Sequence, residues 1–161
     1  MGHAVALKVN GESWSLEVEP AELLLEVLRS RVGIKSPKPG CERGDCGSCT
    51  VLLDGRSVRS CLVLAVEVDG HELTTVEGLG IDGLTELQQR MVELSSFQCG
   101  YCAPGIVLTA TELLAVNPRP ERHEVQAAMS GNLCRCTGYA PIIDAVLTAA
   151  ATAAATTAPE V

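Results

Sequence analysis

The eight cysteines of this chain are the residues whose type and spacing point most directly to chemistry. They fall into two sets of four. The first reads Cys41-x4-Cys46-x2-Cys49 and closes with a more distant Cys61. The second pairs Cys99-x2-Cys102 with Cys134-x-Cys136 further along the chain. Four thiolates are what one [2Fe–2S] cluster needs, and C-x4-C-x2-C followed by a distant cysteine is the plant-type ferredoxin spacing. Two such sets read as a carrier of two one-electron centres.

The neighbours of the first set suit that reading. Gly44 and Gly47 fall between ligands. Glycine tolerates close approach and unusual dihedrals, and the N–H groups such a loop exposes would donate to cluster sulfurs and raise the potential. Four cysteines can also hold zinc tetrahedrally. Zinc sites, however, usually come as two C-x2-C knuckles, and this set has one.

In the second set, Cys99 and Cys102 stand just before Ala103-Pro104, and Cys134 and Cys136 stand just before Thr137-Gly138-Tyr139-Ala140-Pro141. Proline is favoured in the first turn of a helix, so both cysteine pairs are expected at helix starts. Unpaired N–H groups and partial positive charge at those ends favour a bound anion. On spacing alone, zinc or a disulfide pair competes for this set, and the helix-start context favours a cluster.

The elements that must position these ligands follow from the pattern. Ala4 to Val9 alternates and meets Asn10-Gly11, a strong hairpin signal. Ser13 to Val18 alternates again, with Trp14, Leu16 and Val18 on one side. Pro20 opens a helical stretch over 21–32 that Gly33 is expected to terminate. The cysteine loop follows, then a strand over 50–53, a second hairpin turn at Asp54-Gly55, and a strand near 72–76. Around the glycine-rich stretch 77–83 the periodicity turns helical, with helices expected over 84–95, 105–116, 122–129 and 139–150. This is an α+β arrangement, with residues 1–79 as a small sheet domain crossed by one helix and 80–150 as a four-helix domain. Residues 151–161, rich in Ala and Thr, show no apolar stripe and are expected to form a flexible tail.

Composition narrows the function. The chain has 161 residues, four of them aromatic, and a net charge of −8. A core built of Leu, Val, Ile and Ala gains from bound metal, because binding free energy becomes folding free energy. Each oxidised cluster on four thiolates adds about two further negative charges. So acidic a chain has no electrostatic case for nucleic acid. No stretch reaches the roughly 18 apolar residues of a membrane span, and no leader pattern opens the sequence. A cytoplasmic location is expected, where clustered cysteines are metal ligands more often than disulfides.

Other residues have plainer readings. His3, His71 and His123 stand apart, and both cysteine sets are complete without them. Tyr101 and Tyr139 flank ligands and are expected to pack as rings with their hydroxyls satisfied. Arg135 either offsets cluster charge or pairs at the surface, and Trp14 is an ordinary sheet residue. Gln98, from its residue type and place alone, bonds local backbone. The chain holds no nucleotide-binding fingerprint and no acid–base pair.

Three segments together resemble one protein family. They are Cys41-Glu42-Arg43-Gly44-Asp45-Cys46-Gly47-Ser48-Cys49, Gln98-Cys99-Gly100-Tyr101-Cys102-Ala103-Pro104-Gly105 and Gly131-Asn132-Leu133-Cys134-Arg135-Cys136-Thr137-Gly138-Tyr139. They are similar to the signatures of the small iron–sulfur subunit of molybdenum hydroxylases, the xanthine oxidase and carbon monoxide dehydrogenase family. One departure, Ala103 where the family more often has Thr, spares every cysteine. The resemblance implies a plant-ferredoxin-like β-grasp domain followed by the four-helix domain, each carrying a [2Fe–2S] cluster. It implies partners: a large molybdopterin-binding subunit and a medium FAD-binding subunit, in a heterotrimer or a dimer of heterotrimers.

The resemblance also implies roles for particular residues. Gln98 would contact the pterin, and the Cys136 sulfur would lie near the pterin's amino group. Single electrons would pass from molybdenum to the cluster of Cys99, Cys102, Cys134 and Cys136. From there they would reach the cluster of Cys41, Cys46, Cys49 and Cys61, and then FAD. The chain would thus be the non-catalytic subunit of an oxidoreductase. A free-standing two-cluster ferredoxin and a structural zinc protein are the alternatives.

Overall fold

A computed structural model describes residues 2–156. Strands β1 (His3–Val9) and β2 (Glu12–Val18) form an antiparallel hairpin that places Leu7 opposite Trp14 and Val5 opposite Leu16. The hairpin closes at Asn10 (φ 52°) and Gly11 (φ 85°), the left-handed pair that a two-residue turn demands. Strict alternation buries Val5, Leu7 and Val9 of β1 and leaves their neighbours exposed.

Helix α1 (Leu24–Val27) continues as one wider π-type turn over Leu28–Val32 and stops at Gly33 in the left-handed conformation. The helix was expected from residue 21. It starts later because the preceding backbone is spent elsewhere. Ala65 donates to the Glu22 carbonyl at 2.8 Å, Leu24 donates to the Val63 carbonyl at 2.9 Å, and Leu23 bridges to Leu64.

Strands β3 (Thr50–Leu53), β4 (Arg56–Arg59) and β5 (Glu72–Thr74) complete a five-stranded mixed sheet in the order β2-β1-β5-β3-β4. The central pair, β1 and β5, is parallel, and every other pairing is antiparallel. This is the small sheet crossed by one helix that the sequence pattern implied, in the ferredoxin-like form that the family resemblance implied. Its core gathers Val5, Leu7, Val9, Leu24, Leu28, Val51 and Leu73. Each such side chain fully buried contributes about 2 kcal/mol.

Short helix α2 (Val76–Leu79) leads into α3 (Glu86–Glu93), which opens on a capping box between Thr85 and Gln88. Helices α4 (Ala103–Val116), α5 (Arg122–Met129) and α6 (Ala140–Thr156) follow. They enclose a second core of Leu87, Met91, Ile106, Val125, Met129, Ile142 and Val146. Helix α6 runs to Thr156 instead of ending at residue 150, so the start of the segment expected to be a flexible tail is helical. Its row of Ala residues explains this, since alanine is the best intrinsic helix former. Residues 157–161 of that segment lie outside the described residues.

Helix α4 lies against β3 and β4. Glu112 accepts from the Ser57 N–H at 3.0 Å and pairs with Arg56 at 3.5 Å. The helices therefore rest on the sheet edge beside the cysteine loop. Among the described residues, no helix is long and apolar enough to cross a membrane.

Candidate metal centres

The cysteine loop between α1 and β3 carries no regular hydrogen-bonded structure, and its shape is set by backbone conformation. Glu42 (φ 55°), Gly44 (φ 89°) and Gly47 (φ 72°) are left-handed. Three backbone N–H groups then point at one sulfur. The Arg43 and Cys46 amides, with that of Asp45, hold the Cys41 thiol down to about 7. The Cys46 N–H lies 3.3 Å from that Sγ. Gly40 leaves room for another sulfur, since a Cβ there would stand 2.7 Å from Cys46 Sγ.

Cys49 and Cys61 are buried together against Leu25. Burial, with the nearby Cys61 thiol, pushes Cys49 up to about 11. Cys61 arrives from the far side of β4, where Ser60 donates its N–H and hydroxyl to the Cys49 carbonyl at 3.3 and 2.6 Å. The first set is thus two interacting pairs, Cys41 with Cys46 and Cys49 with Cys61.

The second set is also two pairs, each joining one residue from either side of the helical half. Cys99 and Cys136 are exposed, with sulfurs 3.7 Å apart. Cys102 is buried beside the half-buried Cys134. Burial, with Cys134 alongside, pushes Cys102 up to about 12. Burial also opposes ionisation of Cys134, but its thiol is nonetheless lowered because the Thr137 hydroxyl, 3.2 Å away, and the Cys136 amide stabilise the thiolate. The Tyr101 amide lowers Cys99, and the Cys99 sulfur raises Cys136.

Cys102 is the N-cap of α4, with Pro104 in that helix's first turn, and Cys136 precedes α6 by a short turn. Each cysteine pair therefore precedes a helix start, as the proline positions predicted. Tyr139 (φ 70°) turns its ring back so that its hydroxyl accepts from the Cys134 N–H at 2.8 Å and donates to the Asn132 carbonyl at 3.0 Å.

This donor chemistry fits [2Fe–2S] clusters. A tetrahedral metal with bonds of about 2.3 Å separates two of its sulfurs by about 3.8 Å, close to the 3.7 Å between Cys99 and Cys136. Two thiol pairs per site match two iron atoms per cluster. Among the described residues, no three His, Cys, Asp or Glu side chains gather as a group able to hold a single metal ion.

The remaining expected residues are placed as follows. Gln98 is at the surface and donates its side-chain amide to the Cys136 carbonyl at 3.1 Å, so it meets Cys136 directly. Tyr101 donates its hydroxyl to the Pro39 carbonyl at 2.6 Å. His71 pairs with Asp54 at 2.5 Å and His123 with Glu121 at 3.2 Å, both away from the cysteines.

Three residues between the sites were not singled out from the sequence. Lys38 lies 5.4 Å from the Tyr101 ring centre. Arg59 spans Thr50 Oγ1 and the Gly131 carbonyl, 2.7 Å from each. Asn132 is 1% exposed and joins both loops. Asn132 stands in the Gly131–Tyr139 segment, and its place two residues before Cys134 was the available signal.

Residues 7–79 match the family described as a 2Fe-2S iron-sulfur cluster binding domain, and residues 75–147 match the family described as a [2Fe-2S] binding domain. The nicotine 6-hydroxylase small subunit of Paenarthrobacter nicotinovorans is 46% identical over 90% of this chain and 88% of its own length. The nicotinate dehydrogenase small FeS subunit of Eubacterium barkeri is 48% identical over 88% of this chain and 91% of its own. Among solved structures, quinoline 2-oxidoreductase from Pseudomonas putida 86 superposes with a TM-score of 0.91 at 46% identity, over 97% of this chain and 98% of that one. With paired thiols at two sites and relatives matched over nearly their whole length, the chain belongs to the small iron–sulfur subunits of the molybdenum hydroxylases.

Proposed function

We propose that Cys41, Cys46, Cys49 and Cys61 hold one [2Fe–2S] cluster, and that Cys99, Cys102, Cys134 and Cys136 hold the other. The chain is the electron-transfer subunit of a multi-subunit molybdenum hydroxylase-type oxidoreductase, and substrate chemistry takes place on another subunit. When bound, each cluster supplies a store for one electron. The gathering of eight thiols into four pairs at two sites carries this reading.

The two sites differ in what they offer a partner. The exposed pair Cys99 and Cys136, with Gln98 bonded beside it, faces outward. That exposure supports a pterin contact through Gln98 and Cys136, and so entry of electrons from the molybdopterin cofactor at the helical site. Electrons then leave by the site of Cys41, Cys46, Cys49 and Cys61 towards an FAD-binding subunit. A heterotrimer, single or doubled, with residues 1–79 and 80–150 as its two electron-carrying domains, completes the proposal, in the cytoplasm. The small-subunit relatives favour this arrangement over a free-standing ferredoxin.

Replacing Cys136 tests the order of the relay. In the assembled complex, Cys136→Ala should abolish reduction of FAD by substrate while molybdenum is still reduced. A variant that assembles and reduces FAD at the parent rate would contradict it.

A further inference from the structure

The two cysteine sets are joined by one short chain of bonds. The Leu133 N–H donates to the Cys46 carbonyl at 2.9 Å. Cys46 belongs to the first set, and Leu133 is the residue before Cys134 of the second. From sulfur to sulfur, the route crosses the Cys46 side chain and carbonyl, one hydrogen bond, and the Leu133–Cys134 peptide. We propose that this hydrogen bond is the electronic bridge between the two sites, and that Asn132 is the positioning residue that holds it closed. The proposal rests on the two-cluster reading above.

Asn132 is built for that task. Its side-chain amide donates to the Gly47 carbonyl at 3.2 Å and to Thr50 Oγ1 at 3.3 Å, and its oxygen accepts from the Thr109 hydroxyl at 3.0 Å. Gly47 directly follows Cys46, so Asn132 grips the backbone on either side of the bridge. A buried amide with every polar atom paired is expensive to disturb, which gives the junction one well-defined geometry. Arg59 braces the same junction through Gly131 and Thr50. The Leu133 side chain is 55% exposed, so the fold uses this residue mainly through its backbone.

Other crossings are longer, among them Asn132 to the Gly47 carbonyl through its side chain and Lys38 to the Tyr101 carbonyl. The Tyr101 hydroxyl bonds to the Pro39 carbonyl at 2.6 Å. Reaching sulfurs that way requires the whole Tyr101 side chain at one end and the Pro39–Gly40–Cys41 backbone at the other. Electronic coupling falls with every bond crossed, so the Cys46–Leu133 route dominates. The step is a plain exchange of one electron. The site that gives it is oxidised, the site that takes it is reduced, and no proton need move.

The test injects a single electron by pulse radiolysis into the purified complex and follows its redistribution between the two sites. Replacing Leu133 by its α-hydroxy acid turns the Asn132–Leu133 amide into an ester, which removes the donor and weakens the Asn132 carbonyl as acceptor of the Tyr139 hydroxyl. Redistribution should slow several-fold while both EPR signals persist. Asn132→Ala should slow it too and speed amide exchange at Leu133, Thr109→Val should act in the same direction, and Tyr101→Phe should change nothing. An ester variant that exchanges electrons at the parent rate would overturn the bridge. An Asn132→Ala protein whose Leu133 amide stays as protected as in the parent would overturn the positioning role. Failure of the underlying reading looks different, because the parent protein itself would then lack two distinct cluster signals.

Discussion

At the scale of single residues, the site depends as much on what is missing as on what binds. A Cβ on Gly47 would stand 2.5 Å from the Gly131 carbonyl and 2.7 Å from Asn132 Nδ2, and its φ of 72° already excludes most side chains. Gly47→Ala therefore combines strain with a clash at the junction of the two halves. It should cost about 1–3 kcal/mol, seen as a lower melting temperature of the holo-protein. An unchanged melting temperature would mean that the loop yields freely. The sequence singled out Gly47 as an amide donor to sulfide. The structure adds that the opposing segment, Gly131-Asn132, fills the space its side chain would take. No local pattern announces this, because the two stretches meet only after both halves have folded.

At the scale of elements, most of the architecture was legible because alternation and punctuation agree. Asn10-Gly11 and Asp54-Gly55 mark the hairpins, and Pro104 with Cys102 marks the start of α4. The start of α1 was misread because residues 22–24 bond to 63–65, a long-range pairing that helical propensity cannot reveal. Helix α2 was missed because four residues are too few for periodicity.

That short helix nonetheless carries Glu77, which fastens it to the segment leading into the cysteine loop. Its carboxylate accepts from the Ser36 N–H at 3.1 Å and from the Ser36 and Thr75 hydroxyls at 2.5 and 2.6 Å. Burial alone would raise the Glu77 pKa, but these hydrogen bonds outweigh it and lower the group below its usual 4.5. A depressed folded-state pKa stabilises the fold above 4.5, and that contribution is lost as the pH falls through the lower folded value. Glu77→Gln should therefore cost about 1 kcal/mol near neutrality, a figure kept small by solvent screening. The gap in melting temperature between variant and parent should narrow as the solution is acidified below 4.5. A gap independent of pH would show that the charge itself does not matter.

At the scale of the whole molecule, two cores share one chain and meet where the cysteine sets come closest. Val76 and Leu79 pack on the helical core although the sheet pattern ends just before them, so α2 serves both halves. The division of the eight thiols into two groups was plain in the sequence, because thiol spacing is a local signal. The junction between them was not legible, since Arg59, Thr50, Thr109 and Asn132 are far apart in the chain and ordinary in type. Charge follows the same logic: a net −8 before any cluster is bound favours neutral or basic partner surfaces.

The central claim, two unlike [2Fe–2S] centres on one chain, is tested most directly by EPR of the reduced protein during a redox titration. The protein should be brown and show two distinct S = 1/2 signals, each integrating to one spin and titrating separately. A single signal, or a colourless protein holding zinc, would contradict it.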